Sequence, residues 1–94
     1  MSLAQAPTEI TYIEQDIIHM LEKFDRVPGE SHQHKLVYRF LDAGHIDSLS
    51  IINFITDIED KYGINLSPDD TQSDEFRFVG GLARIVHSKV KLKT

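Results

Sequence analysis

Ninety-four residues, with 40% apolar and 27% charged content, make one globular domain with a single core and no room for a second. A formal net charge of −5 argues against a nucleic-acid partner and permits partners with basic surfaces. The chain has no cysteine, which excludes disulfides, thiolate metal sites and thiol catalysis; any reactive thiol has to come from a cofactor.

Residues 1–7, Met1-Ser2-Leu3-Ala4-Gln5-Ala6-Pro7, have no basic region followed by an apolar stretch, so they are not a signal peptide and read as a disordered leader. No apolar run approaches the ~20 residues of a membrane span, and a cytoplasmic protein is expected. A first helix is predicted over 9–25, capped by Thr8, or by Thr11 with Glu14 as a capping box. Ile10, Ile13, Ile17, Met20, Leu21 and Phe24 recur at helical spacing, and Val27-Pro28-Gly29 stops the pattern. From Asp25 to Ile46 there is no sustained period. Loops of this length in compact domains tend to be functional. Leu36, Val37, Phe40 and Leu41 should fold the loop back onto the core, with one helical turn between Leu36 and Leu41.

A second helix is predicted over 48–62. Asp47 is a good N-cap, which places Ser48 in the first turn with its hydroxyl exposed. A helix N-terminus offers unpaired N–H groups and partial positive charge, so it favours a phosphate ester on a nearby oxygen. That setting suits a serine that is modified, not one that catalyses alone. Leu49, Ile52, Ile55, Ile58 and Tyr62 line one side, broadened by Ile51 and Phe54, with only Leu49 and Ile52 partly exposed. Gly63 stands where a helix ends. Ser67 as N-cap and Pro68 at the next position announce a short third helix. Phe76-Arg77-Phe78 leads into a last helix over 78–90, with Val79, Leu82, Ile85, Val86 and Val90 as its stripe. Gly80-Gly81 weakens its start, by up to ~1 kcal/mol per glycine. Lys89, Lys91 and Lys93 fall at its favourable C-terminal end, and 91–94 form a tail. No strand-like alternation or repeat is present. The expected fold is an all-α four-helix bundle with three main helices, one short third helix and a long first loop.

Gly44-His45-Ile46-Asp47-Ser48-Leu49, then Glu59-Asp60-Lys61-Tyr62-Gly63-Ile64, then Phe76-Arg77-Phe78-Val79, in this order and spacing, resemble the acyl carrier and peptidyl carrier proteins. The resemblance covers about residues 8–90. It implies 4′-phosphopantetheine attached to Ser48 by a holo-carrier-protein synthase, with Asp47 helping to position that enzyme's metal ion. The arm's thiol would hold an acyl or aminoacyl group as a thioester, and the carrier would present it to a loading ligase and downstream biosynthetic enzymes without itself catalysing. A monomer is expected. The implied partner surface is Leu49, Ile52 and Thr56, with acids at Asp57, Glu59 and Asp60. Where the fatty-acid type tends to have acids two and five residues after the serine, this chain has Ser50 and Asn53, which looks closer to specialised stand-alone carriers of aminoacyl, polyketide or nonribosomal peptide pathways.

Plainer readings stand beside these. Asp47-Ser48 by itself is a good cap pair without chemistry, and the chain could be an unmodified helical adaptor acting only through protein contacts. Ser48 as an enzymatic nucleophile lacks a Gly-x-Ser-x-Gly elbow and a poised His–acid pair. His32 and His34 lack a third metal ligand at sensible spacing and read as surface loop. His45, three residues before Ser48, reads as a loop histidine, or as one whose protonation alters contacts with a phosphate arm.

Overall fold

A computed structural model describes residues 9–93, whose regular elements are all helical, with no strand among them. The elements are α1 (Ile10–Glu22), α2 (His32–Leu36), α3 (Ser50–Tyr62), α4 (Pro68–Thr71), a 3-10 turn (Asp74–Arg77) and α5 (Val79–Lys93). The all-α bundle is as expected, with one short helix more than the four. The leader over 1–7 and the Thr8 cap lie outside the described residues.

Ile13, Ile17 and Leu21 of α1, Phe54 and Ile58 of α3, and Leu82 and Val86 of α5 are buried together. Phe40 enters their midst from the first loop, fully buried, edge-on to Phe54 at 5.8 Å and to Phe76 at 6.3 Å. Offset and edge-on aromatic pairs of this kind add to the ~1.5–3 kcal/mol that burying one such side chain contributes. The loop is therefore anchored at its centre by a core residue.

Boundaries differ from the sequence expectations for identifiable reasons. α1 ends at Glu22, and Phe24 beyond it is exposed. No Thr11–Glu14 box forms: Glu9 is the N-cap, and the Glu14 carboxylate instead faces His32 Nε2 at 2.9 Å. The turn expected between Leu36 and Leu41 forms earlier, as α2, because Ser31 Oγ accepts the His34 amide and starts the helix at His32. Lys35 also reaches Glu22 at 3.5 Å, seating α2 on α1.

Gly63 ends α3 in the left-handed conformation (φ 64°), which glycine adopts without strain. The Ser67–Asp70 capping box then forms in both directions, and Lys89 of α5 reaches Asp70 at 2.6 Å. α5 continues to Lys93, through most of the stretch read as a tail, in keeping with basic residues at a helix C-terminus. Gly80-Gly81 is more than a weak start. A Cβ on Gly81 would stand 2.2 Å from the Glu75 carbonyl oxygen, so glycine lets α5 and the 3-10 turn touch backbone to backbone.

Candidate functional site

The site is a turn held from both sides. Before it, Phe40–Ile46 is tied down by main-chain bonds: Leu41 N–H to Arg77 O, His45 N–H to Phe40 O, and Val79 N–H to Tyr38 O. Charged side chains add a clasp. Arg39 reaches Asp42 at 2.6 Å and Asp74 at 2.7 Å, and Arg77 also donates to Asp42. Hydrogen bonds from Arg77 first, then Arg39, hold the Asp42 carboxyl below the usual carboxylate range. Ile46 turns into the core.

Asp47, Ser48 and Leu49 then emerge together, all exposed. The Asp47 carboxylate accepts the Ser50 amide at 2.7 Å and the Leu49 amide at 3.1 Å, while its carbonyl accepts the Ile51 amide. Regular helix begins at Ser50, and Leu49 already has helical dihedrals, so Asp47 does the work of the N-cap as expected. These bonds, from Ser50 first, hold the Asp47 carboxyl below its ordinary value. One expectation changes. The Leu49 and Ser50 amides are taken by Asp47, so they do not cradle a phosphate on Ser48. A group on that hydroxyl would be held by its covalent bond and otherwise face solvent.

Along α3, Leu49 is 81% and Ile52 63% exposed, more than the partial exposure expected. The buried side of α3 is centred on Phe54 and Ile58, with Ile51, Ile55 and Tyr62 half-buried beside them. Asn53 and Thr56 complete the outer face, and the Thr56 hydroxyl is turned back onto the Ile52 carbonyl. Asp57 and Asp60 are exposed farther along. At 1.5 Å per residue they stand roughly 13 and 18 Å along the axis from Ser48. Glu59 is half-buried and accepts the Leu66 amide at 2.8 Å, so its carboxylate braces the segment after α3.

The histidines take structural places. His32 meets Glu14, and His34 is exposed. Among the described residues no group of three or more His, Asp or Glu side chains could hold a metal ion. The His45 ring points inward, with Nε2 2.9 Å from the Leu21 carbonyl and Nδ1 3.0 Å from the Tyr38 hydroxyl. It is thus engaged away from the site expected of a phosphate contact. Sequence reasoning missed both this ring and the Arg39–Asp42–Arg77–Asp74 clasp, whose partners lie far apart in the chain.

A family model described as a phosphopantetheine attachment site matches residues 15–85. The chain belongs to that family. No curated protein and no solved structure matches it. Membership gives the chain a carrier role built on phosphopantetheine, and interaction with modifying and biosynthetic enzymes in general; such carrier domains are generally non-catalytic. The chain's residues fit the cofactor: an exposed serine hydroxyl on a pinned turn, and no competing thiol of its own. No described helix of this carrier domain is long and apolar enough to cross a membrane.

Proposed function

We propose that Ser48 carries the 4′-phosphopantetheine arm and that the protein is a specialised, non-catalytic carrier of an acyl or aminoacyl group. The observation that supports this best is the placement of Ser48, exposed between buried Ile46 and the capped start of α3. In the attachment step the Ser48 hydroxyl oxygen forms the new bond to phosphorus on coenzyme A. The pyrophosphate bridge breaks, 3′,5′-adenosine bisphosphate leaves, and the hydroxyl proton passes to the synthase. Asp47, beside the reacting oxygen and ionised, is the carboxylate that helps position the synthase's metal ion. Once attached, the arm supplies a thiol for thioester chemistry.

Leu49, Ile52 and Thr56 form the surface that meets partner enzymes, with Asp57 and Asp60 at its far end. Glu59, drawn in by Leu66, contributes less than the other two acids. Ser50 is half-buried and Asn53 exposed, so the first turn of α3 after Ser48 carries no charge. This supports dedicated partners that present an apolar socket beside the arm, with cationic groups set back from it. Mass spectrometry of the protein isolated from its native cell tests the reading. The expected species carries the arm, part of it bearing a further group that hydroxylamine releases. Protein that is unmodified throughout while retaining its biological activity would instead indicate the adaptor.

A further inference from the structure

We infer that His45 is a positioning residue for Ser48, fixing the turn that bears it to the C-terminal end of α1. This rests on the proposed attachment at Ser48.

A carbonyl oxygen only accepts, so His45 Nε2 carries the hydrogen and donates to Leu21. In the neutral ring Nδ1 is then the acceptor, and the Tyr38 hydroxyl donates to it. Burial, then the nearby Asp25 charge, raise the Tyr38 pKa, which keeps that hydroxyl protonated and able to donate. The rings also meet edge-on, with centroids 5.4 Å apart. Leu21 is fully buried, and its carbonyl also receives the Phe24 and Asp25 amides, so it belongs to the firm end of α1. The imidazole therefore links two residues 24 apart in sequence, three positions before the serine.

The consequence is mechanical. Asp47, Ser48 and Leu49 are exposed, and the bonds given by the Leu49, Ser50 and Ile51 amides all return to Asp47. Those bonds shape the turn but do not fix where it stands on the bundle. The main-chain bonds and the arginine clasp tie the preceding loop to the segment before α5, buried Ile46 seats it in the core, and His45 adds the hydrogen bond to α1. Without the ring, the turn swings relative to α1 and its cap opens more often, and an incoming synthase has to order it on docking. Interactions lost before the chemical step raise KM and leave kcat in place.

The test compares wild type, His45→Ala, His45→Gln and Tyr38→Phe with a broad-specificity synthase and coenzyme A, alongside amide hydrogen exchange. His45→Ala should raise the KM for the carrier about tenfold with kcat nearly unchanged. Exchange should quicken at the His45, Ser50 and Ile51 amides and stay unchanged at Ile17 and Val86. His45→Gln, whose side-chain amide can still donate toward Leu21, should recover most of the loss, and Tyr38→Phe should fall between. An unchanged KM with unchanged local exchange in His45→Ala would overturn the inference. So would uniform quickening across the core, which marks a merely structural role. If even wild type takes no arm, the attachment reading fails, and the exchange comparison still decides whether His45 holds the turn.

Discussion

The Asp47 carboxylate stands 2.7 Å from the Ser50 amide, so the same side chain both caps α3 and flanks the serine that precedes it. Asparagine caps helices about as well as aspartate, whereas alanine does not. Asp47→Asn should therefore keep the melting temperature close to wild type, while Asp47→Ala lowers it. Both should slow arm attachment by roughly tenfold to a hundredfold, the range for losing a group that supports a metal site. Thermal melts and a coenzyme A transfer assay on the two variants check this; an Asn variant modified at the wild-type rate would leave Asp47 with capping alone.

Gly81 has no room for a side chain, since its Cβ would overlap the Glu75 backbone. Gly81→Ala should destabilise the fold by about 2 kcal/mol or more through backbone displacement. At Gly80 the nearest atom to an added Cβ is the Leu36 carbonyl oxygen at 3.2 Å. There the gain of ~1 kcal/mol in helix propensity offsets part of the crowding. Urea denaturation should separate the pair clearly, and a Gly81→Ala variant as stable as Gly80→Ala would contradict the close approach.

Leu49 and Ile52 project from α3 into solvent. Replacing either with alanine should alter stability by less than ~0.5 kcal/mol, as for surface sites in general. Modification or loading by partner enzymes should fall by about tenfold, as when a well-packed interface anchor is truncated. Parallel melts and transfer rates make the comparison. A loss of stability that accounts for the lost transfer would place these residues in the core instead.

The clasp on the first loop should open in acid. Arg77 and Arg39 lower the Asp42 carboxyl, and Arg39 lowers that of Asp74. Carboxyls depressed in the folded state contribute stability that is present above their unfolded value, about pH 4. That contribution is lost as pH falls through the folded value. Amide exchange at Leu41, which bonds to Arg77 O, should thus be steady from neutrality to about pH 4 after correction for intrinsic rates, and quicken below it. In Asp42→Asn most of that acid dependence should vanish, and an unchanged profile would remove the clasp from the account.

Local signals made much of this molecule legible in the sequence. Asp47, Gly63 and Ser67-Pro68 act within a few residues of themselves, and each turned up in the role its chemistry implies. Periodicity on α3 marked its apolar residues but could not show how far neighbouring elements reach around the helix. Leu49 and Ile52 lie past that edge. The first loop was opaque for a different reason: its fastenings are long-range. Arg77 meets Asp42 and Arg39 meets Asp74 across 35 residues, and His45 meets Leu21 across 24. Neither pattern nor propensity encodes such pairs. Gly80-Gly81 looked like a propensity defect because its benefit lies in the backbone packed against it.

The central claim is that Ser48 carries the arm, and intact-mass spectrometry after incubation with coenzyme A and a broad-specificity synthase tests it most directly. The wild-type chain should gain the mass of one phosphopantetheine, and Ser48→Ala should gain none. A wild-type mass that stays constant while a control carrier is modified, or a Ser48→Ala variant that still gains the arm, would contradict the account.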